Sequence, residues 1–149
     1  MEIGVLNGDN ARTMVETALQ NVAPADVEYY GFDFFNRSRF NEVRSKLEKT
    51  GCTFTLYQGD STTTLPHVLP TLPKMDVIFI DGGKSYAEAF SDWDSSQRLM
   101  HDRTAVFVHN YEFSGVRRMV DHIPREAYHV SILHPPGDAA TAHIMKLHL

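Results

Sequence analysis

A single cysteine, Cys52, occurs among the 149 residues of the chain. One thiol cannot form a disulfide within the chain. Cys52 also lies in an apolar-rich stretch, where a buried and reduced thiol is an ordinary finding. We therefore expect an intracellular protein and predict a cytoplasmic location.

The chain also lacks an excess of positive charge and any long apolar run. It has 14 Lys and Arg residues against 19 Asp and Glu residues, a formal net charge of -5. A protein that binds nucleic acid through charge normally presents a basic face. There is no run of roughly eighteen apolar residues and no basic leader at the start. We expect a soluble, unexported protein with no membrane partner, for which nucleic acid is a disfavoured partner.

The length allows one hydrophobic core. A chain of 149 residues is too short for two comfortable domains. No internal repeat, low-complexity tract or linker divides it. We predict a single domain over residues 1–149.

Short apolar runs alternate with stretches of helical periodicity, which is typical of a parallel sheet covered by helices. The runs 77–80 and 105–108 are apolar on both faces and are predicted to be central strands. Further strands are predicted at about 2–6, 27–33, 52–57, 128–132 and 143–149. The polar and apolar alternation of the tail predicts an antiparallel end of the sheet. Among the intervening helices, Asp9 is predicted to be an N-cap, and Phe90 and Trp93 are predicted core residues.

Polar residues and glycines follow the predicted strands at the points where those strands end. They are Gly4 and Gly8 after the first strand, Asp33 after the second, Asp60 and Ser61 after the third, Asp81 after the fourth, and His109 and Asn110 after the fifth. In open parallel sheets, ligands bind beyond the carboxyl ends of the strands. The sequence therefore predicts one site that these loops share.

The residue types at these ends suit a nucleoside ligand. A carboxylate such as Asp33 can accept hydrogen bonds from two ribose hydroxyls, and Asp60 with adjacent amides could meet an adenine edge. His109 and Asn110 could hold a metal with Asp81 or act on a substrate proton. Structural explanations stay open: a tight turn, a solvated loop aspartate, and an Asp60 that only caps a helix.

The segment Ile80-Asp81-Gly82-Gly83-Lys84-Ser85-Tyr86, followed by Asp92, carries the most specific pattern. With the other strand ends it resembles class I S-adenosylmethionine-dependent methyltransferases, particularly small-molecule O-methyltransferase-like members. The resemblance covers nearly the whole chain. It implies a Rossmann-like α/β fold with a mostly parallel seven-stranded sheet, an antiparallel last strand and helices on both faces.

The resemblance also implies roles for individual residues. The cofactor-binding positions would be Glu2, Gly4, Gly8, Asp33, Asp60, Ser61 and Asp81. The predicted catalytic residues are Asp81 and His109, where the proton of the acceptor must leave, and Lys84. Lys84 has three interpretations, namely a contact on the cofactor side, a base, or a plain surface residue, and we favour the last.

Leu6, Lys84 and His109 depart from the pattern of the family that the sequence resembles, and Lys84 stands where the related motif often has histidine. Leu6 stands where many relatives have a glycine, so the loop is expected to be less open around the cofactor. Metal-dependent relatives use an acid-asparagine pair after strand five, where this chain has His109 and Asn110. A divalent metal, if one is used, would be held by Asp81, His109 and Asn110, and imidazole would disfavour magnesium. We expect a metal-free site.

Three functions are compatible with the sequence. The first is methyl transfer from S-adenosylmethionine to an oxygen, or less readily a nitrogen, of a small-molecule acceptor. The second is a dinucleotide enzyme of the NAD type, although G-x-G-x-x-G is absent and Asp9 would repel a pyrophosphate. The third is a non-catalytic module that binds the cofactor or a partner.

Most members of the family that the sequence resembles carry a segment ahead of strand one that helps to cover the substrate. An exposed apolar surface at the position of that segment could pair two chains, so a homodimer is a further expectation.

Overall fold

The computed structural model describes residues 1–148. Its strands are Glu2–Ile3 (β1), Glu28–Asp33 (β2), Thr53–Gln58 (β3), Met75–Ile80 (β4), Met100–Val108 (β5), Tyr128–Leu133 (β6) and Thr141–Lys146 (β7). Within this part of the chain they form one seven-stranded sheet in the order β3-β2-β1-β4-β5-β7-β6. The strands from β1 to β5 are parallel, so their carboxyl ends meet at one edge.

The helices lie on both faces of the sheet. They are Asp9–Ala18 (α1), Arg37–Glu48 (α2), Ser61–Val68 (α3), Tyr86–Gln97 (α4) and Ser114–Asp121 (α5). One core cluster joins α1 and α2 to the sheet through Val15, Leu47 and Tyr29. A second cluster joins α3, α4 and α5 to it and includes Trp93 and Ile78. No helix in residues 1–148 has both the length and the apolar character needed to cross a membrane.

The last strand runs antiparallel to its neighbours. β7 is inserted between β5 and β6, with Val108 opposite Ala142 and Leu133 opposite Thr141. The predicted class I methyltransferase fold, with its mostly parallel sheet and antiparallel last strand, is confirmed. The β6–β7 hairpin also brings a loop back to the edge where the parallel strands end.

Local details differ from the sequence predictions. Gly8, in the left-handed conformation, is the N-cap of α1, so the N-cap prediction for Asp9 is wrong. Asp9 is the first helical residue and pairs with Lys46 instead. Phe90 is 46% exposed and therefore not a core residue, whereas Trp93 is buried as predicted. The strand predicted at 143–149 begins earlier and ends at residue 146, and Leu149 lies outside the described residues.

Candidate active-site cleft

A cleft of about 270 Å³ opens at the edge where the parallel strands end. It is lined by the ends of β1 and β2, by the loops after β1, β2, β3 and β4, by the first residues of α3 and by one residue of α4. The lining residues include Gly4, Asp33, Phe34, Asp60, Ser61, Asp81, Gly82, Gly83 and Glu88. The structure therefore brings together five predicted cofactor-site residues, namely Gly4, Asp33, Asp60, Ser61 and Asp81.

Gly4 is the point where the β1 loop crosses the end of β4. Its φ is +84°, and a Cβ built on it would lie 2.0 Å from the carbonyl oxygen of Asp81. Only glycine satisfies both the backbone conformation and this close approach. Leu6, two residues later, is left-handed without being glycine, with φ +55°, and its side chain is 66% exposed. The turn therefore keeps the backbone shape that a glycine would allow.

Asp33 fixes the same turn from the end of β2. Its Oδ2 accepts hydrogen bonds from the backbone N–H groups of Val5 and Leu6, both at 2.8 Å. Its Oδ1 has only a long contact of 3.4 Å from the N–H of Phe35. One oxygen thus shapes the loop, while the other keeps capacity to accept hydrogen bonds from a ligand in the cleft that Asp33 lines.

Asp60 is the N-cap of α3, as one interpretation of the sequence anticipated. Its Oδ1 accepts from the N–H and from the hydroxyl of Thr62, at 2.9 and 2.7 Å. The Thr62 hydroxyl, followed by its N–H, lowers the pKa of Asp60. The group is therefore an anion on the cleft wall at neutral pH. The next residue, Ser61, donates its hydroxyl proton to Asp92 of α4 at 2.8 Å.

Asp81 of the cleft forms a cluster with Lys84 and His109, which do not line the cleft themselves. Lys84 Nζ donates to Asp81 Oδ1 at 2.5 Å, and both side chains are 31% exposed. The same oxygen lies 3.4 Å from Nδ1 of His109, which is only 17% exposed. The predicted catalytic residues are therefore neighbours in space, at the junction of the β4 and β5 ends.

Asp138 joins this cluster from the β6–β7 loop, and the sequence analysis did not include it. Its Oδ1 lies 3.0 Å from Nε2 of His109, opposite the ring nitrogen that faces Asp81. The backbone N–H of Ala139, followed by His109, lowers the pKa of Asp138. The sequence around Asp138, which follows Pro135-Pro136-Gly137, does not indicate a role in the site. Asp138 comes close to His109 only because β7 returns to pair with β5.

Glu2 and Gly8 do not line the cleft. Glu2 is 1% exposed, and its two oxygens accept from the hydroxyl of Tyr29 and from the side-chain amide of Asn10. Burial raises the pKa of Glu2, and the Tyr29 hydroxyl opposes that rise. Gly8 packs against Val43 as the N-cap of α1. Both residues therefore stabilise the β1–α1 turn and lie outside the cleft.

The predicted metal ligands are already engaged with protein groups. Asp81 pairs with the Lys84 ammonium, and Nδ1 of His109 lies 3.1 Å from the side-chain oxygen of Asn110. Asn110 has a left-handed backbone, with φ +61°. Within residues 1–148, no group of three or more His, Cys, Asp or Glu side chains could hold a metal ion. A cation beside Asp81 would have to displace a lysine, so this arrangement does not fit a divalent metal.

Known structures share the fold. The rhamnose 3'-O-methyltransferase CalS11 of calicheamicin biosynthesis matches with a TM-score of 0.78 and 18% identity over 97% of this chain and 70% of its own. TomG, an O-methyltransferase of tomaymycin synthesis from Streptomyces achromogenes solved with S-adenosylmethionine, gives 0.76 and 18% over 97% and 71%. An O-methyltransferase from Bacillus cereus, solved with the demethylated product S-adenosylhomocysteine, gives 0.77 and 16% over 97% and 72%. No curated protein matches in sequence.

A family described as a methyltransferase domain matches residues 1–111. The matched part runs from β1 through β5 and carries every cleft residue, with only Asp138 of the cluster beyond it. These residues amount to more than half of the chain, and the whole described sheet has the strand order of the structural neighbours. The chain therefore belongs to the methyltransferase-domain family and is an enzyme of the class I methyltransferase type.

Proposed function

We propose that the cleft binds S-adenosylmethionine and that the enzyme transfers its methyl group to an oxygen of a small molecule. The observation that carries this proposal is that Asp33, Ser61 and Asp81 line one cleft together with Gly4, where the loop after β1 passes close to the backbone of Asp81. Two structural neighbours are solved with S-adenosylmethionine or S-adenosylhomocysteine, which supports the same ligand here.

The cleft residues suit the adenosine part of the ligand. The Oδ1 of Asp33 is available for ribose hydroxyls, because its Oδ2 already holds the Val5 and Leu6 amides. Phe34 follows it along the cleft and is 70% exposed, an apolar surface of a kind that a purine ring covers. Ser61, the first residue of α3, also lines the cleft and can face the purine edge.

The sulfonium cofactor, when bound, supplies an already activated methyl group, so the protein chiefly positions the acceptor and excludes water. We assign the acceptor proton to His109. If Asp138 accepts from Nε2–H, Nδ1 is the basic nitrogen, and the acceptor hydroxyl would take the place of the Asn110 side-chain oxygen that lies 3.1 Å from Nδ1. Lys84 keeps Asp81 neutralised by an ion pair, so no metal is needed to hold that acid. Oxygen rather than nitrogen as the acceptor is supported by the O-methyltransferase names of the neighbours.

The dinucleotide alternative is not favoured by the structure of the β1–α1 turn. Asp9 is the first residue of α1 and is exposed at the helix start, where a pyrophosphate would have to bind. Its carboxylate is held there by Lys46 at 2.9 Å and by the side-chain amide of Asn7 at 2.8 Å. An anion is therefore already present at the helix N-terminus.

Calorimetric titration of the purified chain tests the proposal. S-adenosylmethionine, S-adenosylhomocysteine and NAD would be titrated separately, each with and without manganese or zinc. We expect the first two to bind, with affinities that metal does not change. Binding of NAD alone would overturn the proposal in favour of the dinucleotide enzyme, and a requirement for metal would overturn the metal-free site.

The Asp33 contacts give a variant with a matched control. Asp33→Ala should lose both the ribose acceptor and the hydrogen bonds to the turn, and S-adenosylhomocysteine affinity should fall at least tenfold. Asp26→Ala, which removes a carboxylate from the short 3-10 turn before β2, should leave the affinity unchanged. Equal binding by Asp33→Ala and the parent would show that the adenosine assignment is wrong.

A deuterated methyl donor then identifies the acceptor class. The enzyme would be incubated with trideuteromethyl S-adenosylmethionine and panels of phenols, catechols, sugar nucleotides and primary amines, and products would be detected by mass spectrometry. We expect label only in hydroxyl compounds. Label confined to the amines would contradict oxygen transfer while leaving the cofactor assignment intact.

A further inference from the structure

Asp92 of α4 is a buried acid with an unpaired oxygen. The residue is 1% exposed, and within residues 1–148 its Oδ2 has no hydrogen-bond partner. A buried polar atom without a partner is costly and calls for an explanation. The reactions assigned above to Asp81 and His109 do not use this carboxylate.

The other oxygen of Asp92 holds the hydroxyl proton of Ser61. Ser61 Oγ donates to Asp92 Oδ1 at 2.8 Å. A serine hydroxyl has one proton and two acceptor lone pairs. Since the proton points to Asp92, the Ser61 oxygen can only accept hydrogen bonds from a molecule in the cleft that Ser61 lines.

Asp92 also contacts the loop on the other side of the cleft. A Cβ built on Gly82 would lie 2.6 Å from Asp92 Oδ2. The absence of a side chain at Gly82 therefore makes room for the carboxylate. Asp92 thus lies between the loop after β3 and the loop after β4, and both loops contribute to the cleft wall.

The charge state of Asp92 fits this arrangement at slightly alkaline pH. Burial raises the pKa of Asp92 to about 6, and the Ser61 hydroxyl acts against that rise. Asp60 from the β3 loop and Glu88 from α4 also raise this pKa, whereas Lys84 from the β4 loop lowers it. At pH 8 the side chain is a carboxylate, which can only accept the Ser61 proton.

We propose that Asp92 is a positioning residue that makes the Ser61 oxygen an obligate acceptor and so selects a purine with a 6-amino group. The inference rests on the proposed function, because it assumes that the adenine of the cofactor reaches Ser61. An amino group at C6 donates to the Ser61 oxygen. In a purine with a carbonyl at C6, such as hypoxanthine, the carbonyl oxygen would face the Ser61 oxygen. Both atoms are hydrogen-bond acceptors and repel each other, so this ligand binds more weakly.

The test compares two ligands that differ at this group. S-adenosylhomocysteine and its deaminated analogue S-inosylhomocysteine would be titrated at pH 8 into the parent, Asp92→Leu, which has a similar size and no acceptor for the Ser61 proton, Ser61→Ala and the double variant. We expect the parent to prefer the adenosyl ligand and each single variant to lose about tenfold of that preference. The double variant should lose no more than either single variant, because both changes remove the same hydrogen bond.

Asp94→Asn is the matched control. Asp94 lies on the same helix and pairs outward with Arg98 at 2.9 Å. The preference should be unchanged in this variant. Circular dichroism would confirm that each variant is folded.

Each outcome decides between the claims. No binding of S-adenosylhomocysteine to the parent would overturn the proposed function itself. Binding by the parent with equal weakening of both ligands in Asp92→Leu would show a purely structural Asp92. A further loss of preference when Asp92→Leu is added to Ser61→Ala would show that Asp92 does not act through Ser61. If Asp92→Leu fails to fold, an undiminished preference in Ser61→Ala alone overturns the inference.

Discussion

The ammonium group of Lys84 donates a hydrogen bond to Asp81 Oδ1 at 2.5 Å, at the junction of the β4 and β5 ends. The same carboxylate oxygen faces Nδ1 of His109 at 3.4 Å. A cation is therefore supplied by the chain at the position where the sequence suggested a metal. The pair is only partly shielded from water, which limits its contribution to stability but not its effect on competing cations.

Removing the Lys84 ammonium should allow zinc to bind beside Asp81. In Lys84→Ala the carboxylate loses its counter-ion, and a zinc ion can then use Asp81, His109 and Asn110. We expect zinc affinity, measured by calorimetry, to rise at least tenfold over the parent. Lys84→Arg keeps a cation and serves as the control. Equal zinc binding by the parent and Lys84→Ala would contradict this account of the pair.

Asp138 should fix the tautomer of His109. Nε2 lies 3.0 Å from the Asp138 carboxylate, whereas Nδ1 faces the neutral Asn110 oxygen at 3.1 Å and an Asp81 carboxylate paired with Lys84. Because a carboxylate is the stronger acceptor, the Nε2–H form should dominate in long-range proton–nitrogen spectra of the parent at pH 8. In Asp138→Ala the two tautomers should become mixed, and methyl transfer to the acceptor identified in the screen should slow roughly tenfold to a hundredfold. S-adenosylhomocysteine binding should be unchanged. A parent spectrum dominated by Nδ1–H would reverse the roles assigned to the two nitrogens.

The succession of strands along the chain, and the meeting of their polar ends at one edge of the sheet, could be predicted because both follow from periodicity and strand ends. The apolar runs at 77–80 and 105–108 marked β4 and β5, and the residues after them form the cluster. The precise roles were harder. Asp33 shares its oxygens between the turn amides and the cleft, which depends on how β1 lies beside β2 in space.

Long-range contacts explain what the sequence could not reveal. Asp138 reaches His109 across 29 positions of chain, and this contact exists only because β7 enters the sheet beside β5. Asp92 was visible as part of a pattern, but its unpaired oxygen and its contact with Gly82 depend on the packing of α4. Phe90 keeps helical spacing with core residues yet is 46% exposed, because the buried face of α4 also includes the polar residues Asp92 and Ser96 and so leaves Phe90 at its edge.

A comparison of Gly4 and Gly137 separates the energetic cost of a left-handed backbone from the cost of a steric clash. Gly4 and Gly137 both have positive φ, +84° and +73°, but a Cβ on Gly137 would meet no atom within 4 Å. We expect Gly137→Ala to lower the free energy of unfolding by ~1 kcal/mol, the cost of a left-handed alanine. Gly4→Ala should cost ~2 kcal/mol more, because its Cβ would meet the Asp81 carbonyl. Urea denaturation measures both, and equal losses would refute the close approach of the two loops.

The buried carboxylate of Asp92 should make stability fall as pH rises. Its pKa in the folded protein is about 6, above its ordinary value of 3.8, because burial disfavours the charged form. Below pH 4 the group is protonated in the folded and unfolded states alike. Between pH 4 and 6 the unfolded chain loses this proton first, so the folded state loses relative stability until the pH passes the folded pKa. The difference between the two pKa values corresponds to ~3 kcal/mol, an order-of-magnitude figure.

Asp92→Asn should abolish this part of the pH dependence, since an amide does not ionise. Urea denaturation at pH 4.5, 6 and 8 would give the free energy of unfolding of the variant minus that of the parent. This difference should increase with pH, with most of the change complete by pH 7, whereas Asp94→Asn should show no such rise. A difference that stays constant or falls with pH would mean that Asp92 is not a charged buried group. This rise in Asp92→Asn, together with a weaker preference for the 6-amino ligand in Asp92→Leu, would show that the same carboxylate costs stability and confers specificity.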